Sequence, residues 1–281
     1  MRFGFIGLGN LGRHLAASLL RSGYQLTVYD LDEAAARPLL RAGAVWAGSP
    51  RDVAAASDSV FTCLPSPTAV AGVLTGESGV FAGLAALAQD RGLHCLEAPV
   101  TGGVHLAAAG QITVLVAGEE EIYARHLPAF ESIGDRVFYL GPFGGASIIK
   151  VITNMLAFVH LVAVGEALML ARRAGLDLAQ TFDVIKASSG TSFVHETESQ
   201  VILNGSYDIG FTIDLALKDL GFAHELGDEL GVPLELAHLV EQTFVRAREA
   251  YGGSAWSPMV VKLLEDALGT ELRAPGFPAQ L

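Results

Sequence analysis

The sequence predicts an α/β domain built on a parallel sheet, followed by an all-α domain. Three observations carry that prediction. A glycine-rich run directly follows the first apolar strand, short apolar strands alternate with helical stretches over the first half, and strand signals vanish from Gly144 onward.

The first strand, Met1–Ile6, runs into Gly7-Leu8-Gly9-Asn10-Leu11-Gly12, which opens a helix. Gly7 permits the tight turn, Gly9 lets the backbone approach a pyrophosphate, and Gly12 lets the helix pack closely on the strand. The free N–H groups at the helix start then face the phosphates. The second strand, Gln25–Tyr29, ends at Asp30, 18 residues after Gly12, about where a carboxylate meets the ribose hydroxyls of a dinucleotide. A glycine turn alone carries no ligand. With strand, glycines, helix and acid in register, the N-terminal domain reads as Rossmann-type and dinucleotide-binding. Asp30 accepts hydrogen bonds from a ribose 2′-hydroxyl but repels a 2′-phosphate. No arginine follows it before Arg37, so NAD is expected over NADP.

Further strands are expected at Ala44–Trp46, Ser59–Leu64, His94–Glu97, Ile112–Ala117 and Arg136–Tyr139. Then the texture changes. Apolar residues recur at three- and four-residue spacing over Ala146–Ala174, Leu178–Ala187, Ile213–Leu230, Leu234–Tyr251 and Ser257–Leu268, punctuated by Gly175, Gly231-Val232-Pro233 and Gly252-Gly253. The expected domains are 1–143, dinucleotide-binding, and 144–281, all-α, opening into a long interdomain helix. A cleft between two such domains is where substrate commonly meets a bound nicotinamide. The tail Arg273–Leu281, with Pro275, Gly276 and Pro278, is expected to be loosely held.

Composition narrows the function. The 281 residues are 51% hydrophobic, ample for sizeable cores, and a net charge of −12 argues against a nucleic-acid partner. Cys63 and Cys95 are the only cysteines and read as buried free thiols; with a strand beginning at Met1, a reduced, cytoplasmic setting is expected. Val151–Ala171 is apolar but carries Asn154, His160 and Glu166, so it reads as a buried helix and no membrane partner is expected. The eight histidines form no H-x-H or H-E-x-x-H pair, so no metal is implied. So apolar an all-α domain also suggests burial against a second copy.

Three stretches carry chemistry. Lys150 and Asn154 are four residues apart on one helix face, otherwise apolar through Ala157, Phe158, Leu161 and Gly165. Lys150 is either a residue snorkelling at a core's edge or an ammonium aimed into the cleft. In Glu97-Ala98-Pro99-Val100-Thr101-Gly102-Gly103, the Thr101 hydroxyl and the glycine N–H groups form either a cradle for a carboxylate or a plain glycine turn. Lys218-Asp219, taken alone, is a solvated charge pair.

Together these pieces resemble the β-hydroxyacid dehydrogenase family, across nearly the whole chain. Gly7–Gly12 looks like its dinucleotide loop, and Cys63-Leu64-Pro65-Ser66 like its cofactor-contacting loop after the fourth strand. Ala98–Gly103 is similar to its substrate-carboxylate motif, with Thr101 where serine is usual. Gly144-Gly145 through Lys150 and Asn154 matches its catalytic lysine and partner asparagine; Ser188-Ser189-Gly190-Thr191-Ser192 and Lys218-Asp219-Leu220 match two further motifs. The resemblance implies hydride transfer between NAD and a small 3-hydroxyacid, 3-hydroxyisobutyrate-like, or its semialdehyde acid. By that resemblance Gly7, Leu8, Gly9, Asn10, Leu11, Gly12, Asp30, Leu64, Pro65 and Lys218 bind cofactor, and Thr101, Gly102, Gly103 and Ser189 bind the substrate carboxylate. Lys150 exchanges the proton and Asn154 orients it. A homodimer or homotetramer is expected.

Two departures stand out. Leu106-Ala107 replaces the family's usual Gly-Ala, and the interval from Pro65 to Pro99 is about one strand–helix unit short. Ser59–Leu64 and His94–Glu97 are therefore expected as neighbouring parallel strands, joined by the single crossover Thr68–Gly92. An imine reductase-like enzyme is a weaker reading, because such enzymes generally lack the lysine and prefer NADP. A non-catalytic NAD-binding protein is favoured by the two departures and opposed by Lys150 with Asn154.

Overall fold

In the computed structural model, which describes residues 1–75 and 93–281, the chain divides into two units, Met1–Ser147 and Ile148–Leu281. The first opens with β1 (Arg2–Ile6), α1 (Gly12–Arg21), β2 (Gln25–Tyr29), α2 (Glu33–Arg41), β3 (Val45–Trp46), α3 (Pro50–Ala56), β4 (Ser59–Thr62) and α4 (Pro67–Thr75). The four strands form a parallel sheet in the order β3-β2-β1-β4. β1 is buried from Phe3 through Ile6, as a strand covered on both faces must be. α1 turns Leu15, Ala16 and Leu19 inward at helical spacing. Side-chain caps start the next two helices: Asp32 accepts from the Ala34 N–H, and Ser49 from the Asp52 N–H, with Pro50 in the first turn. The strand order reverses between β1 and β4, which places the Gly7–Gly12 loop at the switch point of the sheet.

The rest of this unit departs from a single parallel sheet. β5 (Leu96–Glu97) and β6 (Val100–Thr101) both run antiparallel to β7 (Ile112–Gly118), while β8 (Gly134–Tyr139) is parallel to it; α5 (Gly103–Ala109) and α6 (Glu120–Ile133) intervene. The expected parallel pairing of Ser59–Leu64 with His94–Glu97 is not found. Leu96 lies opposite Gly118, where a Cβ would sit 2.7 Å from the leucine side chain, so the bare glycine admits β5 onto β7. Among the described residues β4 pairs with β1 alone. The expected crossover Thr68–Gly92 lies largely outside the described residues. Cys95 just before β5 is exposed, against expectation, whereas Cys63 is largely buried; both are free thiols.

The second unit is helical: α7 (Gly145–Arg173), α8 (Leu178–Lys186), α9 (Phe193–Asn204), α10 (Ile213–Leu230), α11 (Glu235–Tyr251), a 3-10 turn at Ser257–Val260 and α12 (Lys262–Leu268). Phe158, Leu161, Leu168, Ile202, Leu220 and Phe244 meet in its core. α7 is long and apolar enough to cross a membrane by length and composition. α9 is an element the apolar spacing misses, because Glu196-Thr197-Glu198-Ser199-Gln200 breaks the pattern. Its start is nonetheless marked by Ser192, which accepts from the His195 N–H.

The division between the units falls after Ser147, three residues inside α7, rather than at residue 143. Glu97 holds the start of that helix, accepting from the Gly144 N–H at 2.9 Å and from the Ser147 hydroxyl at 2.8 Å. The expectation of a loose tail is also overturned. The Ala274 N–H donates to Leu203, Asn204 donates to the Phe277 carbonyl, Ser206 donates to the Ala279 carbonyl, and Gln280 donates to Asp208. Phe277 packs edge-on to Phe182.

Candidate active site

The dinucleotide loop sits at the carboxyl end of β1. Gly7 has φ +96°, and a Cβ there would lie 2.3 Å from the Cys63 carbonyl oxygen. A Cβ at Gly12 would lie 2.0 Å from the Gly7 carbonyl oxygen, so glycine is obligatory at both ends of the turn. Gly9 differs: among the described residues, a Cβ there meets no atom within 4 Å. The protein itself supplies no steric reason for this glycine, and close approach of a ligand does. Asn10 and Gly9 are exposed, and no side chain caps α1. The residues present therefore fit a pyrophosphate at the start of α1.

Asp30 is held in place by two backbone donors. Its Oδ2 accepts from the Leu8 N–H at 2.6 Å and its Oδ1 from the Asp32 N–H at 2.9 Å. Each oxygen retains lone-pair capacity for a sugar hydroxyl. Leu8 consequently serves through Asp30, for its N–H is taken and its side chain is buried in the core. Leu31 is 95% exposed, and no basic residue follows Asp30 in the sequence before Arg37. Leu64 packs beside Ile6 and Val53, Pro65 is exposed, and Ser66 caps α4 by accepting from the Ala69 N–H. Burial pushes the neighbouring Cys63 thiol up to about 11, which makes it an inert packing group rather than a nucleophile.

Thr101 closes β6 opposite Thr113 of β7. Gly102 and Gly103 follow at φ +123° and +88°, a conformation that L residues rarely adopt. Leu106 folds back over this turn: a Cβ at Gly102 would lie 2.8 Å from its Cδ1. The residue that departs from the family pattern thus covers the turn that carries the expected carboxylate site.

In the second unit, one turn of α7 and one of α10 share a hydrogen-bonded chain. Lys150 Nζ donates to Asn154 Oδ1 at 2.8 Å, and Asn154 Nδ2 donates to Asp219 Oδ2 at 2.6 Å. Lys218 Nζ lies 3.1 Å from the other Asp219 oxygen. Burial is the main influence on Lys150 and pushes it down to about 8; Asp219 opposes that and Lys218 adds to it. Lys218 also lies over the Phe222 ring at 5.6 Å. Ser189 sits exposed in the turn between α8 and α9, beside Ser188, whose hydroxyl accepts from the Gly190 N–H.

Taken alone, Lys218-Asp219 reads as a surface pair, yet only 15% of the Asp219 side chain is exposed and it anchors Asn154. Its signal was the Lys218-Asp219-Leu220 motif itself. Glu97, the cap of α7, was likewise visible only as the first residue of a motif.

Known proteins share this chain's sequence pattern and fold. The NAD binding domain of 6-phosphogluconate dehydrogenase matches residues 2–88 and 82–141, and the NAD-binding family of NADP-dependent 3-hydroxyisobutyrate dehydrogenase matches residues 144–264. The chain is 31% identical to 2-(hydroxymethyl)glutarate dehydrogenase of Eubacterium barkeri over 97% of both proteins. It is 35% identical to NAD-dependent L-serine dehydrogenase of Pseudomonas aeruginosa, over 79% of this chain and 83% of that one. The crystal structure of 3-hydroxyisobutyrate dehydrogenase from Salmonella typhimurium superposes with a TM-score of 0.84 at 30% identity, covering 94% of this chain and 99% of that one. Sequence, topology and the lysine–asparagine pair thus converge, and the chain belongs to the β-hydroxyacid dehydrogenase family.

Proposed function

We propose that this protein oxidises a small 3-hydroxyacid, 3-hydroxyisobutyrate-like, with NAD, or reduces the corresponding semialdehyde acid. The observation that carries the reading is the Lys150–Asn154–Asp219 chain. A lysine near pKa 8 is neutral often enough to take a hydroxyl proton and charged often enough to return it. Asn154, held by Asp219, fixes the Lys150 ammonium and leaves its remaining donors for the substrate oxygen. Thr101 with the N–H groups of Gly102 and Gly103 receives the substrate carboxylate, and Ser189 assists. Gly9 and the start of α1 hold the pyrophosphate, Asp30 takes the adenosine ribose, Leu64 and Pro65 border the cofactor, and Lys218 completes its site. When bound, the nicotinamide accepts or returns the hydride.

NAD rather than NADP is supported by the Asp30 carboxylate and the uncharged Leu31. A membrane role for α7 is disfavoured, since Phe158, Leu161, Val164 and Leu168 lie in the core of the second unit. Ile148, Ile152 and Leu156 form an exposed apolar row on that helix, which supports a homodimer or homotetramer. We place the protein in the cytoplasm.

The test is NADH formation with purified protein and a panel of 3-hydroxyisobutyrate, 2-(hydroxymethyl)glutarate, L-serine and L-threonate. Turnover of at least one, with NADP much poorer, is the expected result. No turnover of any, together with measurable NAD binding, would leave a non-catalytic dinucleotide-binding protein and sink the proposal.

A further inference from the structure

Helices α10 and α11, joined by the short Gly231–Leu234 connection, pack as a hairpin, and at one level they bring together His224, His238 and Glu241. His238 and Glu241 are three residues apart on α11 and share a face. His224 reaches them from α10. One ligand atom from each of the three lies within 4.8 Å of the others. Glu241 Oε2 stands 3.2 Å from His224 Nε2 and 4.0 Å from His238 Nδ1. The two imidazoles stack face to face, centroids 3.8 Å apart and planes 1° from parallel.

His224 is the telling member. Both its ring nitrogens are sealed from solvent and neither has a hydrogen-bond partner among the described residues, because the close approach of Nε2 to Glu241 is out of alignment. Buried polar atoms are normally satisfied, and an orphaned imidazole beside a second imidazole and a carboxylate is a ligand set without its centre. We propose that His224, His238 and Glu241 bind one divalent transition-metal ion of the Zn2+ class, clamping α10 to α11.

The donor set selects the ion. Two imidazole nitrogens and one carboxylate suit Zn2+, Co2+ or Ni2+, whereas Mg2+ and Ca2+ take oxygen ligands. With bonds of about 2.0–2.1 Å, tetrahedral ligands stand about 3.3 Å apart. The 3.2 Å between His224 and Glu241 already matches that spacing. The required movement is a tilt of His238 out of the stack, for which there is room, since 59% of its side chain is exposed. A water fills the fourth position. The spacing of histidines along the chain hides this site, because His224 and His238 belong to different helices. It is separate from the Lys150 chain, and none of its three ligands has a part in proton or hydride transfer.

The test uses the full, untagged chain, stripped with chelator and then titrated with Zn2+ by calorimetry, with thermal unfolding in parallel. One Zn2+ per chain at micromolar affinity and a melting temperature higher by roughly 5 °C at saturation are expected. Co2+ in its place is expected to give the visible absorption of a tetrahedral nitrogen–oxygen site. His238→Ala, at an exposed position, and Glu241→Gln, which keeps the side chain's shape, should keep the helical circular dichroism yet each weaken Zn2+ at least about tenfold. No saturable binding below about 100 μM, or binding undiminished in either variant, overturns the assignment.

Discussion

A lysine that must give up its proton near neutral pH needs its charged form made unfavourable without being lost, and Lys150 stands under both pressures. Burial lowers it to about 8 while Asp219 holds it up. In the oxidation direction kcat/KM should therefore rise with pH through about 8 and then level, as Lys150 becomes neutral; in the reduction direction it should fall over the same range. Lys150→Ala should lose that limb and about 10²–10⁴ in kcat while still binding NAD. Lys150→Arg should be nearly as poor, because guanidinium keeps its proton. Asp219→Asn removes the attracting charge, so the limb should shift to lower pH; an unmoved limb would show that Asp219 does not act on Lys150. Glu198 gives a stability counterpart. Its Oε2 is buried without a hydrogen-bond partner among the described residues, and burial pushes the carboxyl up to about 8. The folded protein thus keeps a proton that the unfolded chain releases above about pH 4, so this residue's contribution falls as pH rises from 4 toward 8. Glu198→Gln should flatten that decline and be the more stable protein at pH 8 in urea titrations; parallel curves for the two proteins would refute this. Spacing put Lys150 and Asn154 on one face but left their role open, and only the motifs of the family resemblance singled out that pair and Asp219; Glu198 carried no such signal, since burial of an acid depends on the helices packed around it.

At the scale of elements, legibility followed local signal rather than length, for the two-residue β3 was readable while the twelve-residue α9 was not. β1, the glycine turn, α1 and β2 were all readable, because each has a period, a cap or an obligatory glycine, and Asp30 could be placed at the end of β2. This element sets the cofactor prediction. NAD should exceed NADP by at least about tenfold in kcat/KM, about 1.4 kcal/mol, and Asp30→Ser with Leu31→Arg should narrow or invert the ratio. Equal use of the two cofactors by the parent would remove Asp30 from that role. β5 was readable as a strand within His94–Glu97 but the two-residue β6 was not, and the antiparallel pairing of both to β7 depends on the bare Gly118 and on the φ-positive Gly102. α9 was hidden because its polar run interrupts the apolar stripe, although Ser192 caps it. α7 was readable over nearly its whole length, but its first turn belongs with β5 through Glu97, a contact between residues 47 apart or more.

At the scale of the whole molecule, the order of an α/β unit before a helical one was readable from the change in periodicity near residue 144. The fate of the tail was not. Its prolines and glycine suggest looseness, yet it is held by backbone carbonyls and by one buried cluster, neither of which composition reveals. In that cluster Glu265, 3% exposed, accepts from Arg273 and the Leu272 N–H at 2.8 and 2.6 Å and from the Tyr207 hydroxyl. Arg273→Ala strands a buried carboxylate and should destabilise the second unit by about 3 kcal/mol, as breaking a buried pair does. A change below about 1 kcal/mol, read from urea unfolding, would mean that the tail is dispensable.

The docked tail also bears on when each unit can be completed during synthesis. Every strand of the first unit lies before Gly141, so that unit can take shape while later residues are still being added. Asn204, Ser206 and Asp208 can make their bonds to the tail only once Phe277, Ala279 and Gln280 are present. The helical unit therefore closes only once Phe277–Gln280 have been made, and loss of those four residues would leave Asn204, Ser206 and Asp208 without these partners.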